Sequence, residues 1–312
     1  MVTIAVNAHL QATRSLDARS TPTVRPVVAR LAADQVPVTV TDVATGKSRA
    51  NNTPLPLHCS TPAGKLLTII IQSKVLDTAL PVNVYLPPCY DGNRYAYPTL
   101  YLIEGLGYIM GQWVNDGVVR VASQQISAGQ LPPFIIVMPA NDSMSGYASR
   151  FVYTSEGPDS WEGFIVNELV PTIDARYSTW RNRDGRAIGG ISRGGYWSLE
   201  IAFKHPNLFS AVGGHSPAIT SEYLVGTKSG FNMLDLVRST SALKTLRIFL
   251  DAGTNDVTLD GVYQLAAALG TNHIAYTDRI ANGKHDDVYW SSQMPYYLAF
   301  YAATWPFTPR QK

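Results

Sequence analysis

The sequence predicts an α/β fold: a mostly parallel central sheet with helices on both faces and an N-terminal antiparallel hairpin. Three observations predict it. Short apolar runs of strand length alternate with helical patterns from residue 64 onward. The runs are close to continuously apolar, as expected of parallel strands buried on both faces. A serine set between glycines lies where one run ends and a helical pattern begins.

Residues 66–73 and 81–86 read as two strands joined by a short turn, which makes the hairpin. Residues 99–103 follow the turn signal Tyr97-Pro98. Further apolar runs occupy 134–138, 186–191, 211–214, 247–250 and 274–280. The clearest helix spans 161–177, with Phe164, Ile165, Leu169 and Ile173 on one face at the 3–4 spacing and Asp159 and Ser160 as candidate caps. Residues 195–203 read as a helix following the run 186–191.

The segment Gly190-Ile191-Ser192-Arg193-Gly194 carries the chemistry. A serine at a sharp strand-to-helix turn is held in a strained backbone conformation that projects its hydroxyl from the sheet edge. Residues two positions away on either side must be small to avoid a clash. The G-x-S-x-G pattern alone is weak, and the bland reading is a turn with an exposed serine. The strand before it and the helix after it make Ser192 the candidate nucleophile.

A serine hydroxyl needs a base to take its proton. In this architecture the acid and then the histidine follow the serine in the chain. His215, His273 and His285 lie beyond Ser192. His215 ends a strand and His273 directly precedes one, whereas His285 lies in the polar loop Asn282-Gly-Lys-His-Asp-Asp before the last helix. His285 is therefore the candidate base; His205 and His58 read as ordinary packing or surface histidines, and His9 lies in the N-terminal extension. Asp251 and Asp256 compete for the acid. Asp251 is on or beside the strand, where a carboxylate more often meets backbone or a neighbouring helix, so Asp256, in the loop Gly253-Thr-Asn-Asp, is preferred. Donors for an oxyanion are expected from the backbone N–H of Arg193, which opens the serine's helix, and of Leu106, in the glycine-rich loop Glu104-Gly-Leu-Gly.

These segments, in this order, resemble the esterase family of α/β hydrolases that includes esterase D, enterochelin-esterase-like, feruloyl esterase and mycolyltransferase branches. The resemblance runs from about residue 64 to 304. It rests on Val84-Tyr-Leu-Pro-Pro-Cys-Tyr-Asp, Tyr97-Pro-Thr-Leu-Tyr-Leu-Ile-Glu-Gly, Pro133-Phe-Ile-Ile-Val-Met-Pro, Asn167-Glu-Leu-Val-Pro-Thr-Ile-Asp, the serine turn, Gly253-Thr-Asn-Asp and His285-Asp-Asp-Val-Tyr-Trp. It implies an α/β-hydrolase fold, a serine esterase acting through an acyl-enzyme, the triad Ser192, Asp256 and His285, and oxyanion donors at Leu106 and Arg193. Esters linked to carbohydrate, feruloyl or acetyl, follow from the family alone. The chain departs from the family at Glu104, where many members have His, and at Cys89, where glycine is more usual. Glu104 brings a carboxylate toward developing negative charge, which is unfavourable unless it is paired or turned away. Glu-Gly-Leu is similar to the Asp-Gly-Leu of the mycolyltransferase branch. That branch uses Glu as its acid, so a hydrolase is preferred over an acyltransferase. A catalytically inert binding protein on the same fold is the third reading, weakened by the presence of all three triad residues.

Glu104, Trp113, Tyr153 and Trp290 are candidate substrate-contacting residues, although Trp113, Trp197 and Trp290 fit simple packing equally well. Residues 1–60 are rich in Thr, Ala, Val and Pro, with a strand candidate at 36–43 and a linker at 48–56. They read as an N-terminal extension or linker, leaving 61–312 as the catalytic domain.

Composition narrows the class of partner. Of the 312 residues, 46% are hydrophobic and 15% charged, enough apolar material for a large core. Lys plus Arg number 25 against 23 Asp plus Glu, with no basic block, so nucleic acid is not an expected partner. No apolar run reaches membrane-spanning length. The first twenty residues lack the apolar core of a signal peptide, so the protein is either intracellular or has lost a leader. Neither Cys59 nor Cys89 belongs to a C-x-x-C pair, and no metal or organic cofactor is expected. The two flank the hairpin at positions that meet in an antiparallel pair. They are either a disulfide, implying a secreted or periplasmic setting, or two free thiols, which a cytoplasmic protein would have. Oligomeric state is not legible.

Overall fold

Among the residues that the computed structural model describes (63–107, 110–140, 160–219 and 233–312), eight strands pair into one sheet. In chain order they are β1 (Lys65–Ser73), β2 (Thr78–Leu86), β4 (Thr99–Ile103), β5 (Ile135–Pro139), β6 (Arg186–Ile191), β7 (Ala211–His215), β8 (Arg247–Gly253) and β9 (Thr277–Ala281). Their spatial order is β1-β2-β5-β4-β6-β7-β8-β9. β1 and β2 form the antiparallel hairpin, β2 joins β5 antiparallel, and every pair from β5 to β9 is parallel. A separate antiparallel pair joins β3 (Tyr95–Ala96) to β10 (Arg310–Gln311). The expected architecture is present, with helices on both faces.

Side-chain alternation along the strands feeds two cores. β4 sends Tyr101 and Ile103 to one face and Leu100 and Leu102 to the other. β5 does the same with Ile135 and Val137 against Ile136 and Met138. The second face is covered by α1 (Gln112–Asn115), α2 (Val118–Ser127) and α7 (Asp287–Ala302), the first by α3 (161–176), α4 (Arg193–Lys204), α5 (Met233–Ser239) and α6 (Leu259–Thr271). β4 leads into α1 and α2 on one face, while β6 leads into α4 on the other. The chain therefore parts at the carboxyl ends of β4 and β6, where open α/β sheets place their ligand crevice.

Three local departures have physical causes. The helix expected over 161–177 is one run, but it widens to π geometry at Ile165–Leu169 before resuming as α-helix at Val170–Arg176. Pro171 has no N–H for the carbonyl four residues back, and the wider turn immediately ahead accommodates it. Ser160 caps the run, accepting from the Gly163 N–H at 3.5 Å; Asp159 lies outside the described residues. The strand expected at 274–280 starts only at Thr277, because His273 turns left-handed (φ 56°) and Ile274 tucks into the core beneath the end of α6. β8 runs on to Gly253, so Asp251 is a strand residue paired with His215.

The extension expected over 1–60, with its strand and linker candidates, lies outside the described residues, as do Cys59 and Tyr153. Cys89 is disulfide-bonded. No described helix is long and apolar enough to cross a membrane.

Candidate active site

Ser192 sits between β6 and α4 with φ 54° and ψ −118°, a conformation that a non-glycine residue adopts only under strain. The surroundings hold it there. Its N–H donates to the His215 carbonyl at 2.9 Å, and its carbonyl accepts from Tyr196 and Ala218 at 3.0 and 2.9 Å. The flanking glycines are a steric requirement. A Cβ on Gly190 would lie 2.3 Å from the Gly194 carbonyl group, and one on Gly194 would lie 2.4 Å from the Ile103 carbonyl oxygen.

The structure brings Ser192, His285 and Asp256 together. His285 stands on the loop between β9 and α7. Its Nδ1 lies 2.9 Å from Asp256 Oδ1 and its Nε2 lies 3.0 Å from Ser192 Oγ. With the Nδ1–H donated to the carboxylate, Nε2 accepts from the serine hydroxyl, which is the tautomer a general base requires. Two backbone hydrogen bonds, Thr254 N–H to the Ala281 carbonyl (2.8 Å) and Asn255 N–H to the Gly283 carbonyl (2.9 Å), tie the acid's loop to the histidine's loop. Asp256 is buried, which alone would raise its pKa. Hydrogen bonds from His285 and from the N–H and hydroxyl of Thr258 outweigh burial and bring it down to about 2. Trp290 meets the His285 ring edge-on at 5.0 Å, and its Nε1–H donates to Ser216 Oγ at 2.9 Å.

A pocket of about 270 Å³ opens over the serine, lined by Gly105, Leu106, Gln112, Ser192, His285, Asp286, Asp287 and Trp290. Leu106 is half-exposed at its rim. Arg193 is the first residue of α4, where N–H groups point out of the helix end; its guanidinium packs over Trp197, 4.7 Å from the ring centre.

Of the expected substrate contacts, Trp290 lines this pocket and two others do not. Trp113 is fully buried, donates from Nε1 to the Ile103 carbonyl (3.1 Å) and packs edge-on against His215 and Tyr297, so it belongs to the core. Glu104 is also fully buried and is not among the residues lining the pocket over the serine. Its carboxylate accepts the Gly111 N–H at 2.5 Å and also that of Gln112. Burial dominates its titration and pushes it up to about 7 despite those bonds. Asp116 nearby is likewise raised to about 7, by burial and by the charge of Asp287.

His215 and Asp251 make a second, separate pair. His215 Nδ1 lies 2.7 Å from Asp251 Oδ1 and its Nε2 lies 2.8 Å from Tyr301 Oη. Tyr297 donates to Asp251 Oδ2 at 2.7 Å, and every member is buried. This is the neighbouring-helix environment expected of Asp251, since both tyrosines belong to α7. His273 closes the C-terminal end of α6, its N–H donating to the Gly270 carbonyl at 3.0 Å. Sequence reasoning missed Gln112, Thr258 and Ser216. Only Thr258 left a trace, in the Asp-x-Thr spacing that favours a turn closed by the aspartate. No group of His, Cys, Asp and Glu able to hold a metal occurs among the described residues.

The family model described as Putative esterase matches residues 73–301. The chain is 36% identical over 135 residues to Esterase Rv1288 of Mycobacterium tuberculosis, covering 43% of this chain and 28% of that one. It is 30% identical over 158 residues to an endo-1,4-beta-xylanase/feruloyl esterase of Xylanibacter ruminicola, covering 48% of this chain and 21% of that one. The match thus spans about a quarter of the length of these curated relatives. A solved ferulic acid esterase superposes with TM-score 0.69 at 25% identity, over 77% of this chain and 98% of that one. With its hydrolase sheet and the family model matching most of its length, the chain belongs to this esterase family of α/β hydrolases.

Proposed function

We propose that the protein is a serine esterase in which Ser192 attacks the ester carbonyl, His285 takes the serine proton, and Asp256 holds the imidazole in register and stabilises the imidazolium. The observation that carries this reading is the continuous relay from Asp256 through His285 to Ser192, at 2.9 and 3.0 Å, beside an open pocket. The N–H groups of Leu106 and Arg193 receive the oxyanion. The alcohol leaves with the proton held on His285, and an acyl-enzyme remains. His285 then activates water, which releases the acid.

The acyl group we propose is small or aromatic, in an ester linked to carbohydrate. Support comes from the pocket, whose volume suits a ring or a short chain and whose wall includes Trp290, and from the names of the relatives that act on feruloyl esters. A secreted or periplasmic setting goes with this reading and is supported by the disulfide-bonded Cys89. The test is hydrolysis of p-nitrophenyl esters from acetate to octanoate, and of methyl ferulate, by wild type and Ser192→Ala. Turnover confined to wild type, falling with chain length and present on ferulate, is expected. Equal turnover by Ser192→Ala would overturn the assignment. Turnover that rises when an acceptor alcohol competes with water would make the enzyme an acyltransferase.

A further inference from the structure

Glu104 and Gln112 hold each other's backbone. The Glu104 carboxylate accepts the N–H groups of Gly111 and Gln112 at the start of α1. The Gln112 side-chain oxygen in turn accepts the Gly105 N–H at 2.8 Å, directly after Glu104. The arrangement is reciprocal in the way a helix capping box is, but it spans seven residues and includes the end of β4. Both side chains are buried. Gly111, which precedes α1, has φ 106° and no side chain, so the helix takes its cap from Glu104.

The pair acts on one peptide. Gly105 lies against the nucleophile: a Cβ there would be 3.6 Å from Ser192 Cβ and 3.2 Å from Gln112 Oε1. Gln112 itself lines the pocket beside Ser192. Because Gln112 occupies the Gly105 N–H, the next N–H along, that of Leu106, is the one left for an incoming oxyanion. Releasing the Gly105 N–H would let the strand-end peptide rotate, and an oxyanion donor acts only if it is fixed before the charge develops.

We propose that Glu104 and Gln112 are positioning residues that clasp the Glu104–Gly105 peptide and so hold the adjoining Gly105–Leu106 peptide, with its Leu106 N–H, in an oxyanion-binding orientation. This rests on the serine esterase reading. It also accounts for a carboxyl group in the oxyanion loop, because its oxygen accepts the N–H groups that open α1.

The test compares Gln112→Met, Glu104→Leu, Glu104→Gln and the Gln112→Met/Glu104→Leu double variant, with Ser192→Ala as reference. Rates are normalised to serine sites titrated with a fluorophosphonate, so a partly unfolded preparation still reports. Gln112→Met and Glu104→Leu should each lower kcat on p-nitrophenyl acetate by about 10- to 100-fold, below the loss for deleting a donor outright, with KM within about 2-fold. Inhibition by phenylboronic acid, whose serine adduct carries a tetrahedral oxygen, should weaken by a similar factor. Glu104→Gln keeps an acceptor oxygen and should stay within about 3-fold of wild type. The double variant should be little worse than either single, because both act on the same peptide. Wild-type kcat and boronate affinity per titrated site in Gln112→Met would overturn the clasp, as would a kcat loss with boronate affinity intact. If Ser192→Ala turned over ester like wild type, the esterase reading itself would fail; with Ser192→Ala inactive, a fully active Gln112→Met defeats only the clasp.

Discussion

The N–H of Asn255 donates to the carbonyl of Gly283 at 2.9 Å, joining the loop of the proposed acid to the loop of the proposed base. Neither residue lines the pocket over Ser192, yet the bond ties together the two loops that carry Asp256 and His285. Gly253, at the start of the acid's loop, lies so close that a Cβ on it would be 2.4 Å from the Gly283 carbonyl carbon and oxygen.

Gly253→Ala should therefore pry the loops apart. The contact is backbone against backbone and no flexible side chain can yield, so we expect destabilisation of about 1–3 kcal/mol. We also expect at least a tenfold fall in kcat, from a lengthened Asp256–His285 bond. Urea unfolding followed by steady-state kinetics on the folded fraction checks both. A loss of stability with wild-type kcat would mean that the loops find their register without this contact.

The buried carboxyls give opposite pH slopes. Asp256 is depressed from an ordinary 3.8 to about 2. Its folded form binds fewer protons than the unfolded chain, so it contributes about 2 kcal/mol above pH 4, lost as pH falls from about 4 to 2. Glu104 is raised from 4.5 to about 7. Its folded form holds the extra proton, so stability falls as pH rises from about 4.5 to 7, by up to about 3 kcal/mol. Glu104→Gln should remove the second slope while keeping the acceptor. Unfolding free energies of wild type and Glu104→Gln, measured at pH 5 and pH 8, should diverge in favour of the variant at pH 8. A constant difference would show that Glu104 ionises without penalty.

The serine turn was legible because its constraints are local. Gly190 and Gly194 clash with backbone only a few residues away or on the adjoining strand, so the pattern and the sterics coincide. The parallel strands were legible because both faces are buried, leaving short apolar runs. Gln112 was not. Its function arises when α1 returns beside the end of β4, and a glutamine on a four-residue helix carries no periodic or motif signal. The tryptophans were equally opaque: Trp113 and Trp290 have the same chemistry, and only their place relative to the sheet makes one a core residue and the other part of the pocket wall. Asp251 and Asp256 were separable because a strand carboxylate and a loop carboxylate meet different neighbours, but the aromatic partners of Asp251 come from α7, about 45 residues away, beyond any local reading.

Those two aspartates make the sharpest comparison. Each accepts from a histidine Nδ1 at 2.7–2.9 Å, but only His285 reaches Ser192, while His215 ends on Tyr301. Asp256→Asn should leave a folded protein whose imidazole sits in the wrong tautomer. Its kcat should fall by about 10³- to 10⁴-fold, the scale set by this substitution in serine proteases. Asp251→Asn disturbs a network with no access to water, where a buried polar group left without its partner costs about 1–3 kcal/mol. The amide can keep the Tyr297 hydroxyl on its oxygen only by turning its NH2 to His215, which forces the other tautomer there and reverses the His215–Tyr301 bond. Asp251→Asn should lose thermal stability, yet react with a fluorophosphonate and turn over ester at near wild-type rate per folded molecule. Melting temperatures together with active-site titration separate the two effects. If Asp251→Asn folded well and lost turnover while Asp256→Asn retained it, the roles of the two aspartates would be exchanged, and His215 would have to reach the serine by a rearrangement of β7.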